Sequence, residues 1–204
     1  MTAQAEIVGG IPAEQLTEEV REALAGLADE NALLRAALAE MRARLGDLER
    51  STDNDPLTGL PNRRQFLTQL DRLVSQAERH GTPAALLSID LKGLAAINDR
   101  HGRLAGDAAL SHVARLLKGL IRTSDFAARI GGGAFALLLD HLDHESAIDT
   151  AERVACCVAD HPLDLGGALV ALEATVAVTT IVRGDSAADV LDRAERNLHR
   201  VKEF

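Results

Sequence analysis

Between Val20 and Leu48 apolar side chains recur at alternating steps of four and three: Val20, Leu24, Leu27, Leu34, Leu38, Met41, Leu45 and Leu48, with Asn31 in the same register. That spacing predicts the a/d seam of a coiled coil, with Leu24, Asn31, Leu38 and Leu45 at a and the rest at d. One polar Asn at a in an otherwise apolar stripe favours a parallel dimer. The flanks agree, because Glu30 at g is placed to meet Arg35 at e across the dimer, and Arg44 to meet Glu49. An amphipathic helix folded back on its own domain is the alternative, but the seam is narrow and the outer faces are charged or alanine.

The run Ser51-Thr52-Asp53-Asn54 breaks this pattern and supplies cap residues before a second unit. The predicted organisation is a flexible N-terminus over 1–14, a dimeric coiled-coil helix over 15–52 and one domain over 53–204. Within that domain the pattern predicts a helix near 63–78, a buried strand over 84–90 and a helix over 106–121. Two strands joined by a glycine turn follow over 127–140, then a helix near 146–159, apolar strands within 163–180 and a closing helix from Ser186. Strands interleaved with helices indicate an α/β fold, a sheet flanked by helices.

Composition narrows the function classes. With 204 residues, 47% of them hydrophobic, the chain can bury one sizeable core. A net charge of −9 and an aromatic content of 2%, without Trp or Tyr, argue against nucleic-acid binding, which needs cationic surface and stacking platforms. No apolar run is long enough to insert in a bilayer and the start has no basic-then-apolar leader, so a cytoplasmic location is expected. Cys156 and Cys157 are adjacent in a predicted helix, where vicinal side chains diverge, so they read as small packing residues. His141 and His144 sit in a polar loop between strand and helix and read as solvated rather than metal-binding.

The segment Asp55-Pro56-Leu57-Thr58-Gly59-Leu60-Pro61-Asn62-Arg63-Arg64 is a turn that launches a helix. It resembles the D-x-L-T-G-L-x-N-R-R opening of GGDEF domains, the diguanylate cyclase family, and the resemblance continues in register to the end of the chain. It implies a nucleotidyl cyclase or palm-like central mixed sheet flanked by helices. In that family carboxylates hold two divalent cations that activate a 3′-hydroxyl and stabilise the departing pyrophosphate. One carboxylate position is retained as Asp90. The signature turn, however, reads Arg129-Ile130-Gly131-Gly132-Gly133-Ala134-Phe135, with Gly133 and Ala134 where the family has two acids.

Other departures agree. The D-x-D-x-F-K-x-x-N-D segment reads Asp90-Leu91-Lys92-Gly93-Leu94-Ala95-Ala96-Ile97-Asn98-Asp99, with Lys92, Leu94 and Ala95 at the altered positions. In Gly102-Arg103-Leu104-Ala105-Gly106-Asp107 an Arg replaces the family's His, and the closing A-D-x-A-L-Y-x-A-K pattern ends here on Lys202. Asn98 and Asp107 match the family's guanine-reading amide and carboxylate, although helix-cap and turn roles would select the same residues. Asp90, Asn98, Asp107, Gly131, Gly132, Gly133, Ala134 and Lys202 therefore read as a vestigial nucleotide site without catalytic residues or metal.

Nine residues before Gly131 stands Arg122-Thr123-Ser124-Asp125, an R-x-x-D at the place where many members of the family bind their product. Arg can donate to guanine O6 and N7, and Asp can accept from N1 and N2. Arg153 of Ala151-Glu152-Arg153 matches a third contributor to that site. A short charged surface turn would give the same R-x-x-D string. The resulting expectation is a catalytically inactive homodimer that needs no cofactor, responds to cyclic di-GMP through Arg122, Asp125 and Arg153, and passes that state to a protein partner. The alternatives are a nucleotide-independent interaction scaffold and a residual cyclase.

Overall fold

A computed structural model describes residues 7–8, 11–12, 17–51 and 53–202. The chain divides into two compact units, residues 1–51 and 52–204. In the first, β1 (Ile7–Val8) pairs antiparallel with β2 (Ile11–Pro12), and α1 spans Glu18–Ser51. Much of the segment expected to be a flexible N-terminus lies outside the described residues. On α1 the seam residues Leu27, Leu34, Leu38 and Met41 are each more than half exposed in the single chain. A helix this long with its apolar stripe in water has no burial of its own to stabilise it, since most helical stability in proteins comes from packing the apolar face. The side chains of Leu45 and Leu48 lie outside the described residues.

The second unit begins with α2 (Arg63–His80), whose N-cap Asn62 accepts a hydrogen bond from the Gln65 amide at 3.1 Å. Then come β3 (Ala84–Leu91), α3 (Leu94–His101), α4 (Arg103–Leu120), β4 (Phe126–Gly131), β5 (Ala134–Asp140) and α5 (His144–Asp160). A small hairpin of β6 (Leu163–Asp164) and β7 (Leu169–Val170) precedes β8 (Ala174–Ile181) and α6 (Ala187–Lys202). The main sheet has the order β4-β5-β3-β8. Each of its ladders is antiparallel, which refines the mixed sheet expected from the sequence.

β3 runs through the middle of the sheet and is covered on both faces, which explains why it reads as a nearly continuous apolar run. Its side chains alternate between two cores. Ala85, Leu87, Ile89 and Leu91 join residues of α3, α4 and α5 in one. Ala84 and Leu86 join α2 and α6 in the other. Ser88 and Asp90 continue the second set, so the carboxylate of Asp90 emerges on the α2/α6 face at the end of the strand.

The short helix α3 is the element that sequence patterning did not separate. The helix expected to begin at 106 begins at Arg103, and α3 stands before it as a distinct helix.

Candidate functional site

Antiparallel register sets Asp90 directly opposite Ala134 on β5 and Thr175 on β8. A directly opposed residue shares the face and comes closest to its partner, so the nearest position on β5 from which a second carboxylate could meet Asp90 carries a methyl group. Thr175 is buried, and its hydroxyl has no hydrogen-bond partner among the described residues. Asp90 Oδ2 instead takes the ammonium of Lys202, at 2.7 Å, from the last turn of α6. Lys92, at the family's other acidic position, turns to Glu173: Nζ lies 2.7 Å from Oε1, and the Lys92 amide donates to the Glu173 carbonyl at 2.8 Å.

A pair of hard cations needs several oxygen ligands and compensating negative charge. Asp90 supplies one carboxylate, already neutralised by Lys202, and Gly133 and Ala134 supply none. This donor set does not fit a two-cation centre.

The turn joining β4 to β5 is held by Gly132 and Arg129. Gly132 has φ +52, a left-handed conformation that glycine adopts without steric cost. Arg129 holds the turn: Nε and Nη2 donate to the Gly132 carbonyl at 3.2 and 2.9 Å, and Nη1 donates to both carboxylate oxygens of Asp55 at 3.1 and 3.0 Å. Asp55 also accepts the amide and hydroxyl of Thr58 at 2.8 and 2.6 Å. Burial pushes the Asp55 carboxyl up, but the Thr58 hydrogen bonds and the Arg129 guanidinium outweigh it and hold the group below the usual carboxylate range. The opening motif and the signature turn are thereby one hydrogen-bonded unit, a role for Arg129 that its place in the signature did not reveal.

Asn98 on α3 and Asp107 on α4 sit on neighbouring helices. A Cβ on Gly106 would fall 2.0 Å from Asn98 Oδ1, so the absence of a side chain at Gly106 makes the room in which the Asn98 amide lies. Asp107, the next residue, is exposed.

On the opposite face of the sheet, Arg122, Asp125 and Arg153 line a single cavity of about 200 Å³. Leu137, Leu139 and Val154 lie beneath it, almost wholly covered. The turn between α4 and β4 forms one wall. There the Arg122 amide donates to Asp125 Oδ2 at 2.9 Å, and the Asp125 amide donates to the Arg122 carbonyl at 3.1 Å. These bonds fix the carboxylate through backbone and leave the Arg122 guanidinium uncommitted among the described residues. Arg153 stands on α5, the other wall, and its guanidinium likewise has no partner among the described residues. Arg122 and Asp125 do not neutralise each other side chain to side chain, in contrast to the simple surface pair that the sequence also allowed.

Among the described residues no group of three or more His, Cys, Asp or Glu is arranged to hold a metal ion. No described helix is long and apolar enough to cross a membrane.

Comparison with known proteins gives the family. The profile described as Diguanylate cyclase, GGDEF domain matches residues 52–204. Diguanylate cyclase DgcP of Pseudomonas aeruginosa is 32% identical over 158 residues, covering 78% of this chain and 24% of DgcP. The probable diguanylate cyclase DgcE of Escherichia coli is 36% identical over 159 residues, 78% of this chain and 14% of DgcE. The chain thus spans a quarter or less of the length of these two relatives. Among solved structures, the coiled coil and GGDEF domain of DgcB from Caulobacter crescentus, in complex with c-di-GMP, matches with a TM-score of 0.71 at 28% identity. That match covers 87% of this chain and 94% of the DgcB chain. Diguanylate cyclase SiaD from Pseudomonas aeruginosa, in complex with its activator SiaC, matches with a TM-score of 0.71 at 30% identity, over 91% of this chain and 72% of SiaD. The chain belongs to the GGDEF, or diguanylate cyclase, domain family.

Proposed function

We propose that this chain is a catalytically inactive GGDEF domain that binds cyclic di-GMP through Arg122, Asp125 and Arg153 and acts as an effector, paired with a second copy through α1. The observation that carries the reading is the contrast between the two faces of the sheet. On one, the surviving carboxylate Asp90 faces Ala134 and is held by Lys202. On the other, two guanidinium groups and a backbone-fixed carboxylate share one cavity, with the guanidinium ends free among the described residues. Exposed, uncommitted cations beside a fixed carboxylate suit a ligand that brings both phosphate charge and the hydrogen-bonding edges of guanine. The DgcB structure with c-di-GMP supports this class of ligand for a relative of the same fold.

Isothermal titration calorimetry tests the reading. Cyclic di-GMP is expected to bind the purified chain with micromolar or tighter affinity, and Arg122→Ala to abolish the heat. Incubation with GTP and Mg²⁺ or Mn²⁺ at high protein concentration is expected to yield no cyclic di-GMP. Turnover there would overturn the inactive assignment, and absence of binding would overturn the effector role.

A second reading, a nucleotide-independent scaffold, is favoured by the exposed seam of α1, which offers an association surface whatever the cavity binds. SiaD, solved with its activator SiaC, is a relative that engages a protein partner. Silence in calorimetry together with a stable dimer in solution would favour that alternative.

A further inference from the structure

The cavity that holds Arg122, Asp125 and Arg153 is also lined by Asp149. Asp149 belongs to α5, where Ser146, Asp149, Thr150 and Arg153 all line the same cavity. Their spacing of three, one and three places them on one helix face, looking across at the turn that carries Arg122 and Asp125. Asp149 and Arg153 are four residues apart, the spacing at which helical acid and base meet most readily. Nevertheless no ion pair forms between them among the described residues, and neither side chain has another partner there. The helix wall therefore presents a free carboxylate and a free guanidinium, whereas the turn wall presents a free guanidinium beside the Asp125 carboxylate, which accepts the Arg122 amide.

This arrangement has a chemical consequence. A guanine offers acceptors at O6 and N7, which suit a guanidinium, and donors at N1 and N2, which suit a carboxylate. Reading both edges of one guanine takes one Arg and one Asp. The cavity supplies two such sets, one per wall. For an anionic ligand, a second carboxylate would be a liability if its only effect were charge, because it repels phosphate. It becomes useful when it accepts hydrogen bonds from a base.

We infer that Asp149 is a second guanine-reading carboxylate of this cavity, working with Arg153 as Asp125 works with Arg122, and that it restricts the site to cyclic dinucleotides carrying two guanines. This rests on the proposed role of the cavity as the cyclic di-GMP site. Adenine carries an acceptor at N1, which a carboxylate repels, so a mixed guanine and adenine cyclic dinucleotide satisfies one wall only.

Calorimetry on the full chain with three ligands tests it: cyclic di-GMP, the mixed guanine and adenine cyclic dinucleotide, and the all-adenine one. The variants are Asp149→Asn, nearly isosteric but able to donate, and Arg122→Ala. Thermal melting checks that each is folded. The expected result is that Asp149→Asn weakens cyclic di-GMP by roughly tenfold or more and narrows its advantage over the mixed ligand, while Asp149→Glu recovers part of the loss. Unchanged or tighter binding of cyclic di-GMP by Asp149→Asn, with binding still lost in Arg122→Ala, overturns the role of Asp149 and leaves the site intact. No binding by the unsubstituted chain overturns the site and this role together.

Discussion

Lys202 Nζ lies 2.7 Å from Asp90 Oδ2, so the carboxylate at the end of β3 is satisfied by the last helix of its own chain. A tethered ammonium supplies one positive charge and no coordination geometry. The pair is partly exposed, and its contribution to stability is correspondingly small. Its consequence is chemical: a divalent cation would have to displace Lys202 to use Asp90.

That relation predicts the outcome of restoring the lost acids. A Cβ on Gly133 would meet Leu91 O at 3.4 Å, ordinary contact, so an acid can be accommodated there. Gly133→Asp with Ala134→Glu is expected to confer Mn²⁺ binding measurable by calorimetry, strengthened further by Lys202→Met. The unsubstituted chain is expected to show none. Equal Mn²⁺ affinity in parent and variants would show that other groups complete a cation site.

Acid stability is expected to depend on Asp55. Its folded-state carboxyl titrates below the ordinary aspartate value, so the stability it contributes is fully present above about pH 4. That stability is lost as the pH falls through the depressed folded-state value. Asp185, hydrogen-bonded to Arg193, behaves in the same direction. Asp55→Asn should flatten the acid limb of a melting-temperature profile and cost about 2–3 kcal/mol at neutral pH, because it leaves Arg129 largely buried without its counter-ion. A parallel acid limb in the variant would argue against the assignment.

β8 is one edge strand of the sheet, opposite β4, and α6 covers part of it. Arg193 Nη2 donates to the Thr180 carbonyl at 2.8 Å, and Asn197 Nδ2 donates to the Val178 carbonyl at 3.0 Å. Two carbonyls two residues apart on the strand are thus met by two side chains four residues apart on the helix. Arg193 is steadied by Asp185, with contacts of 2.8 and 2.6 Å. Uncovered edges recruit other strands. Arg193→Ala with Asn197→Leu is expected to destabilise the domain by about 2–3 kcal/mol and to produce concentration-dependent association in light scattering. A variant that melts earlier without associating would limit α6 to a packing role.

For α1 the expected outcome concerns Asn31. Replacing it with Leu should raise dimer stability while loosening the choice of oligomer. Sedimentation equilibrium and thermal melting read both effects. An unchanged mass distribution with unchanged melting would count against the proposed register.

The parts of the fold that the sequence revealed are those with long periodic patterns. β3 was expected over 84–90 and runs Ala84–Leu91, and α2 was expected to begin at Arg63, where its cap places it. α3 escaped because Leu94–His101 is shorter than the window over which a helical period can be judged. The candidate ligand residues were legible because Arg122 and Asp125 form a compact string and Arg153 follows at a recognisable segment. What pattern could not supply was the company these residues keep. Arg129 meets Asp55 across 74 positions of sequence, and Lys202 meets Asp90 from the far end of the domain, relations that only the folded register creates. Asp149 stands out only where the fold sets it beside Arg153 on the cavity wall.

The alternation of side chains along β3 carries a consequence for how such a domain can change. Asp90 and Ala134 lie on the α2/α6 face, whereas Leu137 and Leu139, which floor the cavity of Arg122 and Arg153, lie on the other. Neighbouring positions on one strand therefore belong to different packing layers. Substitutions at the end of the strand on one side can accumulate without repacking the other side, because the peptide plane between them is shared but the side-chain layers are not. The sheet acts as a partition, so a change at Gly133 or Ala134 is expected to leave the cavity of Arg122 and Arg153 as it is.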